Sequence, residues 1–174
     1  MSDTKVVKDL MIGIFDYPHV PYWFSISQAI KIVRVSFLDT NKYPEPLAIL
    51  VFDQKYHLLG TLTLRDILRG LEPKFLKATV GGAHIVEGDQ TELALIWDSL
   101  FDIKAKEMAE RPVSEIMIPA KHFVEPHDPI TKAAYLMLQH DLVLLPVLEE
   151  KRKFVGLVRM IEIFDALSNA ILKE

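Results

Sequence analysis

The sequence predicts an α/β (α+β) fold made of two copies of one small unit, helix–strand–strand–helix, paired through their sheets. Three observations carry this expectation. Val7-Lys8-Asp9-Leu10-Met11-Ile12 near the start is echoed by Val113-Ser114-Glu115-Ile116-Met117-Ile118 past the midpoint. Each copy is followed, in the same order, by a short extended stretch, a helical pattern, two strand patterns and a second helix. Finally, neither half has enough apolar faces to close on itself, so a sheet with helices on one side calls for a second sheet of the same kind.

The elements follow in chain order. After the first lead segment comes His19-Val20-Pro21, then Ser25-Ile26-Ser27-Gln28, a capping-box pattern in which Ser25 and Gln28 satisfy free N–H groups reciprocally. Ile26, Ile30, Val33 and Phe37 recur behind it at helical spacing. Strands are expected over 47–52 and 58–63, flanking a turn at Asp53-Gln54-Lys55. In the second half Phe123-Val124-Glu125 is extended, Asp128 is expected to cap, and Pro129 to occupy the first helical turn, where its missing N–H costs nothing. Ile130, Ala134, Met137 and Leu138 form the expected buried stripe, and strands over 143–148 and 154–158 flank the turn Glu149-Glu150-Lys151-Arg152. The period switches from strand to helix just past Gly60 and Gly156.

The repeats are expected over residues 6–71 and 112–172, with a linker over 72–111. The linker reads as helical from about 90 to 110, where Leu93, Ile96, Trp97, Leu100 and Ile103 share one face.

Bulk properties remove several function classes. Half of the 174 residues are hydrophobic, which supplies a core, and the net charge of −4 with no basic stripe argues against nucleic acid as a partner. Cysteine is absent, which excludes disulfides, thiol catalysis and Cys-based zinc sites and suits a reducing cytoplasm. The first residues lack the pattern of a signal peptide, and no apolar run nears the roughly 20 residues that cross a bilayer, so a soluble cytoplasmic protein is expected. His122 and His127 lack the spacing of a metal site, and Gly81-Gly82 is not followed by the Lys of a P-loop. No nucleophile or acid–base pair stands out, so no catalytic residue and no metal are expected.

Val113-Ser114-Glu115-Ile116-Met117, then Val124-Glu125-Pro126-His127-Asp128-Pro129-Ile130, His140, Leu145-Pro146-Val147 and Gly156-Leu157-Val158 together resemble a cystathionine-β-synthase (CBS) domain. The first half is more divergent, with a longer region between about 35 and 46, yet Gly60-Thr61-Leu62-Thr63-Leu64-Arg65-Asp66 is similar to the ligand motif of that family, Gly-x-x-Thr/Ser-x-x-Asp. The resemblance implies two βαββα repeats forming a Bateman module, with clefts between them that bind AMP, ADP, ATP or an S-adenosyl compound. It further implies a non-enzymatic regulatory role, a homodimer and an effector protein that the sequence does not name.

The motif has a physical logic of its own. Gly60 permits close backbone approach, and Thr63 and Asp66, three apart, share a helix face. A carboxylate accepts two hydrogen bonds, as a ribose diol offers, and a hydroxyl with free N–H groups at a helix start suits a phosphate. The same residues are also accounted for by an N-cap at Thr63 and a surface carboxylate at Asp66. By position in such modules, the adenine ring would lie near His122, Leu142, Val143 and Leu144, opposite Thr61, Thr63 and Asp66; Arg65 and Lys121 are further phosphate candidates, although such residues are more often solvated surface charges. In the mirror cleft Arg159 stands in place of Thr63 and Glu162 in place of Asp66, opposite Pro18, Pro46, Leu47 and Ala48. One good site and one degenerate site are expected, with a ligand-free scaffold for self-association as the alternative.

Overall fold

The computed structural model describes residues 5–38, 48–71 and 103–172. In the first half these form β1 (His19–Pro21), α1 (Ile26–Val33), β2 (Ala48–Phe52), β3 (Leu58–Thr63) and α2 (Leu64–Leu71). The second half gives β4 (Ile118–Pro119), α3 (Ile130–His140), β5 (Leu144–Glu149), β6 (Lys153–Arg159) and α4 (Met160–Leu172).

Local chemistry sets the helix starts. The Ser25 hydroxyl accepts the Gln28 N–H at 3.1 Å, and the Gln28 side chain accepts the Ser25 N–H at 2.9 Å, which completes the expected capping box. Past Val33 the helix widens into a π-turn over Arg34–Leu38 and still buries Phe37. The start of α3 departs from expectation. Pro129 has φ −64° and ψ 145°, extended rather than helical, and is itself the cap residue. The Asp128 carboxylate turns backwards and accepts the Glu125 N–H at 2.8 Å, closing the turn before the helix. Along α3 the buried residues are Ile130, Ala133 and Met137, whereas Leu138, expected inside, is 79% exposed. Ala134 is only partly buried against the core.

One sheet runs in the order β1-β2-β3-β4, with β1 parallel to β2 and the other pairs antiparallel. All five residues of β2 are buried, because the sheet is covered on both faces. Ile49 and Val51 face a core with Val20, Ile26, Ala29 and Phe37. Ala48, Leu50 and Phe52 face the other way, into a cluster with Tyr17, Leu144 and Leu157 that joins the two halves. Full burial of each large aliphatic chain here stabilises by roughly 1.5–3 kcal/mol.

The second sheet is the β5–β6 hairpin, extended on one side by a parallel bridge from Val124 to Val147 and on the other by an antiparallel bridge from Leu157 to Ile12. It repeats the order of the first sheet, and in doing so it draws on the opposite end of the chain. Val7, Leu10 and Met11 pack in the second core, and the Val7 N–H donates to the Asp128 carbonyl at 2.9 Å. Reciprocally Val113, Ile116 and Met117 pack in the first core, and the Val113 N–H donates to the Phe24 carbonyl at 2.7 Å. The lead segments are exchanged.

Gly60 and Gly156 serve this crossing. A Cβ on Gly60 would lie 2.5 Å from the Ile118 carbonyl oxygen, and one on Gly156 would lie 2.6 Å from that of Ile12. The backbone that approaches each glycine closely is thus the exchanged segment.

Of the expected linker helix, residues 103–109 are helical, and Ala105, Met108 and Ala109 lean on the first core while Ile103 is 66% exposed. The inward face is therefore not the one that Ile103 marks. Leu93, Ile96, Trp97 and Leu100 lie outside the described residues, as do Pro46 and Leu47.

Candidate functional site

Where β3 hands over to α2, three bonds fix one carboxylate. The Thr63 N–H donates to Asp66 Oδ2 at 2.9 Å, the Thr63 hydroxyl donates to the same oxygen at 2.7 Å, and the Asp66 N–H donates to the Thr63 hydroxyl at 3.3 Å. Thr63 is thus the N-cap of α2, as expected, and Asp66 in the first turn reaches back to complete a capping box. It is not the surface carboxylate of the simpler expectation: it is 5% exposed, the one buried charged residue among those described. Its Oδ1 takes no donor among the described residues, yet no side-chain oxygen there is both sealed from solvent and unpaired. That oxygen is available to a ligand.

Asp66 borders a cavity of about 600 Å³ between the halves. Thr61, Thr63, Leu64, Arg65 and Arg69 complete the wall from the first half; Ile118 and residues 140–144 supply the wall from the second. The volume lies within the range of about 300–1,000 Å³ usual for small-molecule sites. Asp141, at φ 53°, ends α3 in the left-handed region, and the Leu142 N–H returns to the Met137 carbonyl at 2.9 Å. The Val143 carbonyl accepts the Met160 N–H at 2.8 Å. This leaves the Val143 N–H and the Leu142 carbonyl without partners among the described residues. The two belong to one peptide and point opposite ways, so one of them at most faces the apolar wall.

The structure therefore brings Thr61, Thr63, Arg65, Asp66, Leu142, Val143 and Leu144 to one cavity. His122 is not on the wall: its ring stacks on His140 with centroids 3.7 Å apart, so His140 fronts the cavity and His122 stands behind it. Lys121 is exposed and off the wall. Sequence reasoning missed Arg69 and His140. The spacing of Arg69, one turn past Arg65, was the signal for the former; the face of α3 bearing His140 had none.

The mirror position is built differently. The Arg159 N–H donates to Glu162 Oε2 at 3.0 Å, reproducing the backbone cap, but the Arg159 guanidinium also clasps the Glu162 carboxylate through Nε, at 2.8 and 3.0 Å, and through Nη2. The hydrogen bond to Glu162 raises the pKa of Arg159 above its already high ordinary value, against an opposing effect of burial. Both carboxylate oxygens are engaged. Across from it, Ala48 is buried in the inter-sheet cluster, and Pro18 is partly buried with its carbonyl accepting the Leu50 N–H at 3.0 Å. Leu47 lies outside the described residues.

Comparison with known proteins places this geometry. No curated protein sequence matches the chain. Residues 113–169 match the family model described as CBS domain. The CBS-pair protein CBSX2, from Arabidopsis thaliana, superimposes in its AMP complex with a TM-score of 0.61 at 19% identity, over 95% of this chain and 98% of that one. The chain is similar to a CBS domain over residues 113–169 and has the fold of a CBS pair. Another CBS pair, solved with 5′-methylthioadenosine and S-adenosyl-L-methionine, gives a TM-score of 0.60 at 18% identity over 96% of this chain and 98% of the other. The cytosolic domain of the Mg2+ channel MgtE, solved with ATP, gives 0.61 at 21% identity over 94% of this chain, which spans about half (49%) of that one. The exchanged lead segments and paired sheets put the candidate cavity between the two halves. Among the described residues no helix is long and apolar enough to cross a membrane.

Proposed function

We propose that this CBS pair is a regulatory module that binds an adenine nucleotide or adenosyl compound in the cavity beside Asp66 and signals by a change in repeat arrangement or self-association. The observation that carries the reading is the buried Asp66 carboxylate, which borders the cavity and is held by Thr63 through Oδ2 alone. The free edge of that carboxylate suits a ribose diol. The Leu142–Val143 peptide offers a backbone hydrogen bond to a purine edge, with Leu144 as an apolar face. Thr61, Thr63 and Arg65 lie where phosphates would follow the ribose. The structural relatives solved with AMP, ATP and S-adenosyl-L-methionine support the ligand class. The repeats are taken as 6–71 and 112–172, joined by 72–111, and the module as non-catalytic. Absence of cysteine suits a cytoplasmic setting.

The mechanism is population shift: ligand across the two walls favours the arrangement that brings them together. Millimolar AMP, ADP, ATP or S-adenosylmethionine is expected to raise the melting temperature of the wild-type protein, and Asp66→Ala to remove most of the rise. A flat response to all four overturns the reading.

A ligand-free scaffold is the second reading, and the Arg159–Glu162 pair favours it at the mirror position, where the protein satisfies its own carboxylate. On that reading Asp66→Ala leaves self-association untouched and ligands have no effect.

A further inference from the structure

The cavity carries more positive charge than an adenosine needs. Arg65 and Arg69 stand one turn apart on α2, and both line it beside Asp66. At that spacing their Cβ atoms are about 5–6 Å apart, so the two side chains rise as neighbours. Arg111 and Arg159 are each paired with a glutamate, but Arg65 and Arg69 have no carboxylate partner among the described residues. The acidic groups on the same walls are Asp66, whose Oδ2 is committed to Thr63, and Asp141 at the end of α3. We propose that the cavity selects a nucleoside di- or triphosphate over uncharged or cationic adenosyl compounds, with Arg65 and Arg69 together holding the phosphate chain.

The inference rests on the reading of this cavity as an adenosine site. A guanidinium is planar, permanently charged and offers paired donors that fit two phosphate oxygens at once. Two such forks in succession serve a chain of phosphates, where a lone phosphate would occupy one. A methylthio group gives them nothing to bind, and a sulfonium adds a like charge in the same space. Both arginines are exposed at the cavity mouth, so their contribution is screened by salt.

Isothermal titration of the full chain with ATP, ADP and 5′-methylthioadenosine, at low and at high salt, tests this. ATP or ADP is expected to bind at least about tenfold more tightly than 5′-methylthioadenosine at low salt, with the gap narrowing as salt rises. In Arg65→Gln/Arg69→Gln the ratio falls to within about threefold. Circular dichroism verifies the folding of that variant, and the wild-type ratio with its salt dependence needs no variant. Equal affinities in the wild type, or a ratio that the double substitution leaves unaltered, overturn the inference while the adenosine site stands, provided that Asp66→Ala weakens all three ligands. If none of the three binds, the adenosine site itself is wrong and the inference falls with it.

Discussion

Asp66 is bonded to Thr63 in the structure and is proposed to hold a ligand, and the two roles separate experimentally. Its bonds back to the N-cap Thr63 are present without ligand, so Asp66→Ala is expected to lower unliganded stability by about 1–2 kcal/mol. Denaturant titration reads that loss, while the vanished ligand response reads the other role. A variant with full stability would mean that the Thr63 bonds contribute nothing. Asp128 offers a pH-dependent counterpart away from the cavity. Burial acts to raise its pKa, but the Glu125 N–H and the Lys132 ammonium, 2.7 Å away, outweigh it and hold the group below its ordinary 3.8. A depressed folded-state value means a contribution fully present above the unfolded value and lost as the pH falls through the folded one. Asp128→Asn is therefore expected to destabilise the protein at neutral pH and to match the wild type more closely well below pH 3.8. Parallel stability curves for the two proteins would count against it.

At the scale of elements, the glycines at the crossings are the sharpest test of the exchange. A methyl group at position 60 meets the Ile118 carbonyl, a backbone atom with no freedom to swing away. Gly60→Ala is expected to cost about 1–3 kcal/mol by prising β4 from β3, and Gly156→Ala a similar amount at Ile12. Substitution without loss at both would show that the crossing is loose. These glycines also mark how far the sequence could be read. The strand-to-helix switch just beyond them was legible, because the hydrophobic period changes there, and so were the hairpins and the Ser25 capping box. What approached Gly60 was not: a close contact states only that something is near, and the partner lies more than fifty residues away along the chain. Asp128 misled for a related reason, since an acid before Pro serves equally as a cap or as the acceptor that closes the preceding turn. Leu138 was placed on the wrong face because α3 is apolar over more than one stripe.

For the whole molecule, the outward apolar residues have a consequence. Tyr135 and Leu138 on α3, with Ile161 and Phe164 on α4, are each between 49% and 79% exposed, on helices that pack together. We propose that the chain self-associates and that this face pairs two copies, so that the wild type sediments as a dimer and Leu138→Glu/Phe164→Glu as a monomer with its unliganded fold intact. An unchanged sedimentation coefficient would place the dimer elsewhere or remove it. Most of the cavity wall was legible at this scale too, because the resemblance to paired CBS domains implies that Asp66 and Leu142–Leu144 face one another across a cleft. Arg69 was legible only through its spacing from Arg65, and His140 not at all, since it belongs to the facing of the two halves rather than to either pattern.

The exchange of Val7 and Val113 between the two cores means that the peptide link joining the halves is not what keeps them together. Each half hands over a staple that its neighbour needs, so the two behave as mutual prosthetics. A chain severed between residues 72 and 102 should still co-elute as a single body and melt in one transition, whereas either piece expressed alone should fail to fold. Separation of the severed pieces under native conditions would refute this. Any signal from the cavity is then felt by both halves at once, because neither can loosen while the other stays whole.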